Sequence, residues 1–135
     1  MENMKTYQGS CHCGAVRFEA DIDLGQGTIR CNCSICAKTR FWPAIVKPEA
    51  FRLLAGRDEL TNYQFNTKTD QHPFCRHCGV HSFGIGNSPR WGDFYAVSVT
   101  CLDDVSIAEL AGAPITYLDG RNDNWHTPPA EVRHL

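Results

Sequence analysis

Eight cysteines in 135 residues constrain this chain more than any other feature, because seven of them fall in three tight groups. Cys11 and Cys13 are one residue apart, Cys31, Cys33 and Cys36 lie within six residues, and Cys75 and Cys78 have C-x-x-C spacing. Thiolates gathered this closely serve a metal better than they serve cross-linking of distant loops. A disulfide framework would also need an oxidising compartment, and a chain of this length can build a core without covalent staples. The opening "MENMKTYQGS" lacks the apolar run of a secretory signal, and no stretch reaches membrane-spanning length. The expected setting is therefore the reducing cytoplasm, with no membrane partner.

Zinc sets a geometric test for each group. With Zn–S near 2.3 Å, tetrahedral thiolates stand roughly 3.8 Å apart. In "CHCG" an extended backbone puts the sulfurs of Cys11 and Cys13 on one face, and "CRHCG" carries the spacing of a zinc knuckle. Each pair runs directly into a glycine, Gly14 or Gly79, which lets the chain turn sharply through positive φ. Only one division keeps every group whole and closes a four-thiolate site: Cys11, Cys13, Cys75 and Cys78 together. Cys31, Cys33 and Cys36 are left with three ligands, and three protein ligands plus an exchangeable fourth is the pattern of a catalytic zinc. Two Zn²⁺ per chain are expected, one structural and one catalytic.

Competing ligands weaken this division less than their number suggests. Cys101, in "VSVTCLDD", follows a strand pattern and reads more readily as a small buried hydrophobe. His12 and His77 lie between ligands, where geometry tends to point them away from that metal. His72, His81 and His126 belong to a residue type more often found on the surface or satisfied in a core. The alternative is a non-enzymatic zinc-binding structural or interaction module with both sites closed, the second by Cys101, a histidine or an aspartate.

Three thiolates leave a zinc centre with net charge -1, a poor activator of water. A soft-ligand site selects sulfur, and an incoming thiol would be held there as thiolate, the nucleophilic form. The chemistry indicated is addition of a small thiol to a small electrophile, or the reverse carbon–sulfur cleavage. Such thiols usually carry carboxylates, and Lys38 and Arg40 follow the triplet directly, while Arg30 reads as a solvated basic edge. Phe41 and Trp42 either line a cleft beside the metal or belong to the core. Trp91 and Tyr95 are equally open.

The rest of the chain describes the scaffold. Hydrophobic residues at 42% and charged residues at 21% place it among globular domains, and a net charge of -2 supplies no basic footprint for nucleic acid. "AVRFEADID" alternates Val16, Phe18, Ala20 and Ile22 against Arg17, Glu19, Asp21 and Asp23, a half-buried strand. "LGQG" supplies a turn, "TIRCNC" returns as the next strand, and Ser34 is the expected N-cap of one helical turn. "FWPAIV" reads as an edge strand because of its proline. "AFRLLAG", "LTNYQFNT" and "DFYAVSV" are further short strand-like runs, and "VSIAELAG" has room for two helical turns at most. The expectation is one all-β domain over residues 1–135, made of small antiparallel sheets.

"GSCHCGAVRFEA", "RCNCSICAK" and "FCRHCGVHSF" resemble, in order and spacing, three signatures of the glutathione-dependent formaldehyde-activating enzyme family. "YAVSVTCLDD" and "YLDGRNDNW" resemble that family's C-terminal half, so the resemblance runs from about Gly9 to Trp125. It implies a β-tent fold with two zinc ions. Cys11, Cys13, Cys75 and Cys78 match the family's structural site, and Cys31, Cys33 and Cys36 match its catalytic zinc, whose fourth position takes the thiol of glutathione. The implied reaction is that of a carbon–sulfur lyase, joining glutathione and formaldehyde into S-hydroxymethylglutathione.

Overall fold

The computed structural model describes residues 3–66 and 68–135. Met1 and Glu2, within the N-terminal stretch read above, and Thr67, the end of the "LTNYQFNT" run, lie outside them. Ten short strands dominate, in four small sheets, with two six-residue helices. No helix among the described residues is long and apolar enough to cross a membrane.

The alternating stretch forms β2 (Arg17–Ile22), flanked by β1 (Lys5–Ser10) and β5 (Phe51–Ala55) in an antiparallel sheet. Phe18, Ala20 and Ile22 are buried, as the alternation requires of a strand with one face on the core. On the outer face Glu19 and Asp21 meet Arg52 of β5 at 2.7 and 2.8 Å. A second antiparallel sheet has the order β4 (Pro43–Val46), β9 (Gly92–Ser98), β8 (Phe83–Ser88). Its β4 is the expected edge strand, with Pro43 at the first position, where no ladder hydrogen bond is lost. Phe51 joins the two sheets, its ring centroid 5.3 Å from Phe18 and 4.6 Å from both Phe83 and Tyr95. Tyr95 is thereby a core residue. β6 (Leu60–Tyr63) and β7 (His72–Cys75) form an antiparallel pair that delivers Cys75 to the interior.

Two local expectations are corrected. β3 (Thr28–Cys31) does not return against β2; it pairs in parallel with β10 (Ile115–Leu118). A 3-10 turn at Leu24–Gln26 and Gly27 at φ 109° redirect the chain, and the Thr28 amide then donates to the Pro114 carbonyl at 2.7 Å. The sheets are thus antiparallel apart from this one pair. In α1 (Ser34–Thr39) the N-cap is Cys33, not Ser34: Cys33 is extended, and its carbonyl already accepts from Ala37 at 2.9 Å. The other helix, α2 (Ile107–Gly112), is the two-turn segment expected, started by a capping box between Ser106 and Glu109.

Candidate metal centre

The sulfurs of Cys11, Cys13, Cys75 and Cys78 all lie within 4.8 Å of one another, with Cys13 at 3.7 Å from Cys11 and 3.6 Å from Cys75. Those separations match the roughly 3.8 Å edge of a tetrahedral zinc–thiolate site. Two knuckles of the same design build it. After β1, the Cys11 carbonyl accepts from Gly14, and its sulfur accepts from the Val16 amide at 3.3 Å. After β7, the Cys75 carbonyl accepts from Gly79 at 2.7 Å, and its sulfur accepts from the His77 amide at 3.4 Å. Both glycines hold the positive φ that the sequence anticipated, 83° and 77°. Cys11 and Cys75 are buried, whereas Cys13 is exposed and Cys78 half-buried. The thiols differ accordingly. Burial works against ionisation of Cys78, but amide donors from Cys13 and Val80 and sulfur neighbours bring it down to about 6. At Cys13 the Ala15 amide favours the thiolate, yet desolvation and the adjoining sulfurs push it up to about 11.

Cys31, Cys33 and Cys36 form the second group, again within 4.8 Å of one another. β3 ends on Cys31, and α1 starts from Cys33 and carries Cys36 back over its first turn. Cys33 accepts from Cys31 first and Cys36 second, with the amides of Cys36 and Ile35 adding to them, and its thiol is pulled down to about 2. Cys36 is pushed up by those same sulfur neighbours, and Cys31 is raised chiefly through Cys33. Cys33, at the helix start, is thus the thiol of the group whose ionisation its neighbours favour. Among the described residues no histidine, carboxylate or further cysteine lies within 4.8 Å of all three sulfurs.

None of the competing ligands joins either group within 4.8 Å. His77 meets Glu59 at 3.0 Å, His72 stacks on Phe65, and His81 tilts against Phe74. His12 and His126 are exposed. Cys101 is half-buried and does not join either group within 4.8 Å, its thiol raised by desolvation. The donor sets therefore suit a soft, thiolate-preferring metal such as zinc: four sulfurs in one group and three in the other.

Sequence reasoning missed the strap that secures the second group. Asn32, between two of the cysteines, is buried and donates to Asp119 at 2.9 Å, while its carbonyl accepts from the Arg121 amide at 2.9 Å. Asp119 also accepts from Asn122, and these hydrogen bonds from Asn122 and Asn32 hold its carboxyl below the ordinary range. Gly120 follows directly. A Cβ there would come within 2.8 Å of Cys31 Sγ, 2.9 Å of Cys33 Cβ and 2.7 Å of the Trp125 ring. The "YLDGRND" stretch carried this signal as a turn, but nothing local says which residues the turn will cover.

Basic and aromatic side chains complete the surroundings. Arg30, expected as a solvated edge, is half-buried with its guanidinium 4.6 Å over the Trp42 ring. Trp42 is fixed in turn by its Nε1, which donates to Thr28 Oγ1 at 2.7 Å. Lys38 and Arg40 are exposed at the end of α1. Phe41 and Trp42 line a cleft of about 460 Å³ that also meets His81 and Thr100. Trp91 lies edge-on to Phe94, under Arg90.

Comparison with known proteins points to one family. The family model described as glutathione-dependent formaldehyde-activating enzyme matches residues 6–117. A Halomonas elongata protein named "Putative glutathione-dependent formaldehyde-activating enzyme" is 30% identical, over 71% of this chain and 65% of its own length. This chain thus spans just under two thirds of that curated relative. The crystal structure of a Rhodobacter sphaeroides protein is similar with a TM-score of 0.69 and 34% identity, covering 81% of this chain and 99% of that one.

Proposed function

The chain belongs to the glutathione-dependent formaldehyde-activating enzyme family, and from that premise we propose that it is a carbon–sulfur lyase acting on a small thiol, glutathione in the first instance, and formaldehyde or a similar small electrophile. The observation that carries this reading is the triplet of Cys31, Cys33 and Cys36, which gathers three sulfurs without a fourth protein ligand among the described residues. Cys11, Cys13, Cys75 and Cys78 would hold a structural zinc, and the triplet a catalytic one. Bound there, zinc would supply a soft Lewis-acid position at which a substrate sulfur is favoured as thiolate at neutral pH.

The remaining work falls to the chain. The amides of Ile35 and Cys36 steady negative charge at Cys33, and the Asn32–Asp119 strap fixes the spacing of Cys31 and Cys33. Phe41, which lines the small cavity of Cys31 and Cys36, would limit water around an approaching thiol. In the addition direction one S–C bond forms, the C=O π bond breaks, and the thiol proton ends on the new hydroxyl. Cleavage is the same path reversed. A reducing compartment such as the cytoplasm would keep the seven grouped thiols available as ligands.

The zinc-loaded protein should accelerate the exchange between glutathione, formaldehyde and their adduct, followed by NMR exchange spectroscopy. Absence of acceleration with glutathione and with several other thiols overturns the enzymatic reading. It would leave a zinc module whose second site is closed from elsewhere.

A further inference from the structure

Two arginines stand at the edge of the triplet without the carboxylate partner that three others of this protein have. Arg52, Arg76 and Arg133 each pair with a carboxylate at 3.0 Å or less. Among the described residues, no acidic side chain pairs with Arg30 or Arg40. Both line a small cavity of about 40 Å³ together with Cys31 and Cys36. Arg30 is held over Trp42, and Arg40 is turned out of α1 by its left-handed backbone at φ 55° while its amide stays on the Cys36 carbonyl at 2.8 Å. Two guanidinium groups facing one cavity repel each other, and an anion between them relieves that repulsion. Thiolates satisfy the charge requirement but lack the planar pair of oxygens that a guanidinium fork fits best.

The opposite wall shows what kind of group fits. His134 and Leu135 line the same cavity, and Arg40 Nη1 donates to the His134 carbonyl at 2.9 Å. A peptide oxygen from residues 132–135 therefore already occupies Arg40, beside the cysteines. Arg40 and Phe41 also border the cleft of about 460 Å³, which is large enough for the body of a tripeptide-sized molecule.

Resting on the reading of the triplet as a thiol-handling centre, we propose that Arg40, backed by Arg30, recognises a carboxylate of the thiol substrate, and that residues 132–135 are a tethered occupant which the substrate displaces. The predicted substrate class is a carboxylate-bearing peptidic thiol. Neutral thiols of the same reactivity react at the cysteines but gain nothing from Arg40.

The test uses the zinc-loaded full chain with formaldehyde and either glutathione or uncharged 2-mercaptoethanol. Direct binding of S-methylglutathione, read from tryptophan fluorescence, accompanies the kinetics. Arg40→Asn suits the left-handed backbone, and Arg30→Gln is an independent second variant. Each should lower kcat/KM for glutathione relative to 2-mercaptoethanol by roughly ten- to hundredfold, the scale of a lost charge-assisted hydrogen bond, and weaken S-methylglutathione in parallel. A variant lacking residues 132–135 should bind S-methylglutathione a few-fold more tightly. Equal losses for both thiols, or unaltered S-methylglutathione affinity in the arginine variants or the shortened chain, overturn the proposal. Should the parent protein accelerate no thiol yet bind S-methylglutathione in an Arg40-dependent way, the lyase reading fails and the recognition site stands.

Discussion

At the four-cysteine centre the ligands arrive as two matching knuckles, each made of a strand end, a sharp glycine turn and an amide donating to the first sulfur. At the three-cysteine centre they arrive on one continuous segment, where the Cys33 amide likewise donates to Cys31 Sγ. Further contacts come from far along the chain: a strap at Asn32 and Asp119, and the tail at Arg40. The first design places two of its cysteines within the main core, beside residues such as Phe18 and Val97, so a metal held there would be one unit with the fold. The second sits at the end of the parallel β3–β10 pair with Cys33 and Cys36 half-buried, and Cys31 and Cys36 line a small cavity. A closed, duplicated design suits a metal that never leaves. The one-sided design suits a metal that must meet something else.

The largest effect should come from the first centre. Cys75 is fully buried, and Cys75→Ser removes a ligand from a site whose zinc free energy is also folding free energy. Loss of the cooperative thermal transition, with fewer than two zinc equivalents retained, is expected. A folded Cys75→Ser protein would erase the distinction between the centres. Cys33→Ser should instead release one zinc equivalent and abolish adduct formation, while far-UV circular dichroism and Tm stay near the parent's. Global collapse of that variant would make both centres structural.

Gly120→Ala probes the strap. The added methyl meets Cys31 and Cys33 at under 3 Å, and overpacking of this kind costs about 1–3 kcal/mol. Competition with a chelator should then show one zinc held roughly ten- to hundredfold more weakly and the other as in the parent. The smallest effect concerns the strand that feeds the first knuckle. Glu109 accepts from Tyr7 and Lys5 of β1, and the Tyr7 hydroxyl is the main cause holding its carboxyl down at about 2 from an ordinary 4.5. A carboxyl depressed in the folded state contributes stability above its unfolded value, and that contribution is lost as pH falls through the folded one. The Tm advantage over Glu109→Gln should therefore be full at pH 6 and shrink between about pH 4.5 and pH 2. A constant gap would separate β1 from this carboxylate.

The sequence and the structure agree best where the cause is local. Strict alternation placed Phe18, Ala20 and Ile22 on the core face, and spacing with paired glycines predicted the grouping of Cys11, Cys13, Cys75 and Cys78. Ser106 and Glu109 mark the start of α2 for the same reason, since a capping box is complete within four residues. What stayed illegible depends on partners far along the chain. The parallel neighbour of β3 is 87 positions away, and nothing in "TIRC" specifies Ile115–Leu118. Asn32 looks like an ordinary spacer until Asp119 is beside it. Arg30 looks like a surface cation until Trp42 lies beneath it. β1, β7 and β8 carry weak alternation because Gly, Pro and His interrupt them, so register with neighbours defines them more than composition does.

The span of that strap also bears on how the molecule is made. The Cys13–Cys75 contact closes a sequence separation of 62, whereas Asn32 and Asp119 are separated by 87. On a chain growing from its N-terminus, the four-cysteine centre has all its ligands once Cys78 has emerged, but the triplet lacks its strap until Asp119 and Gly120 follow. The triplet's own cysteines thus emerge first, at Cys36, yet it is the triplet that is secured last, on a scaffold already in place.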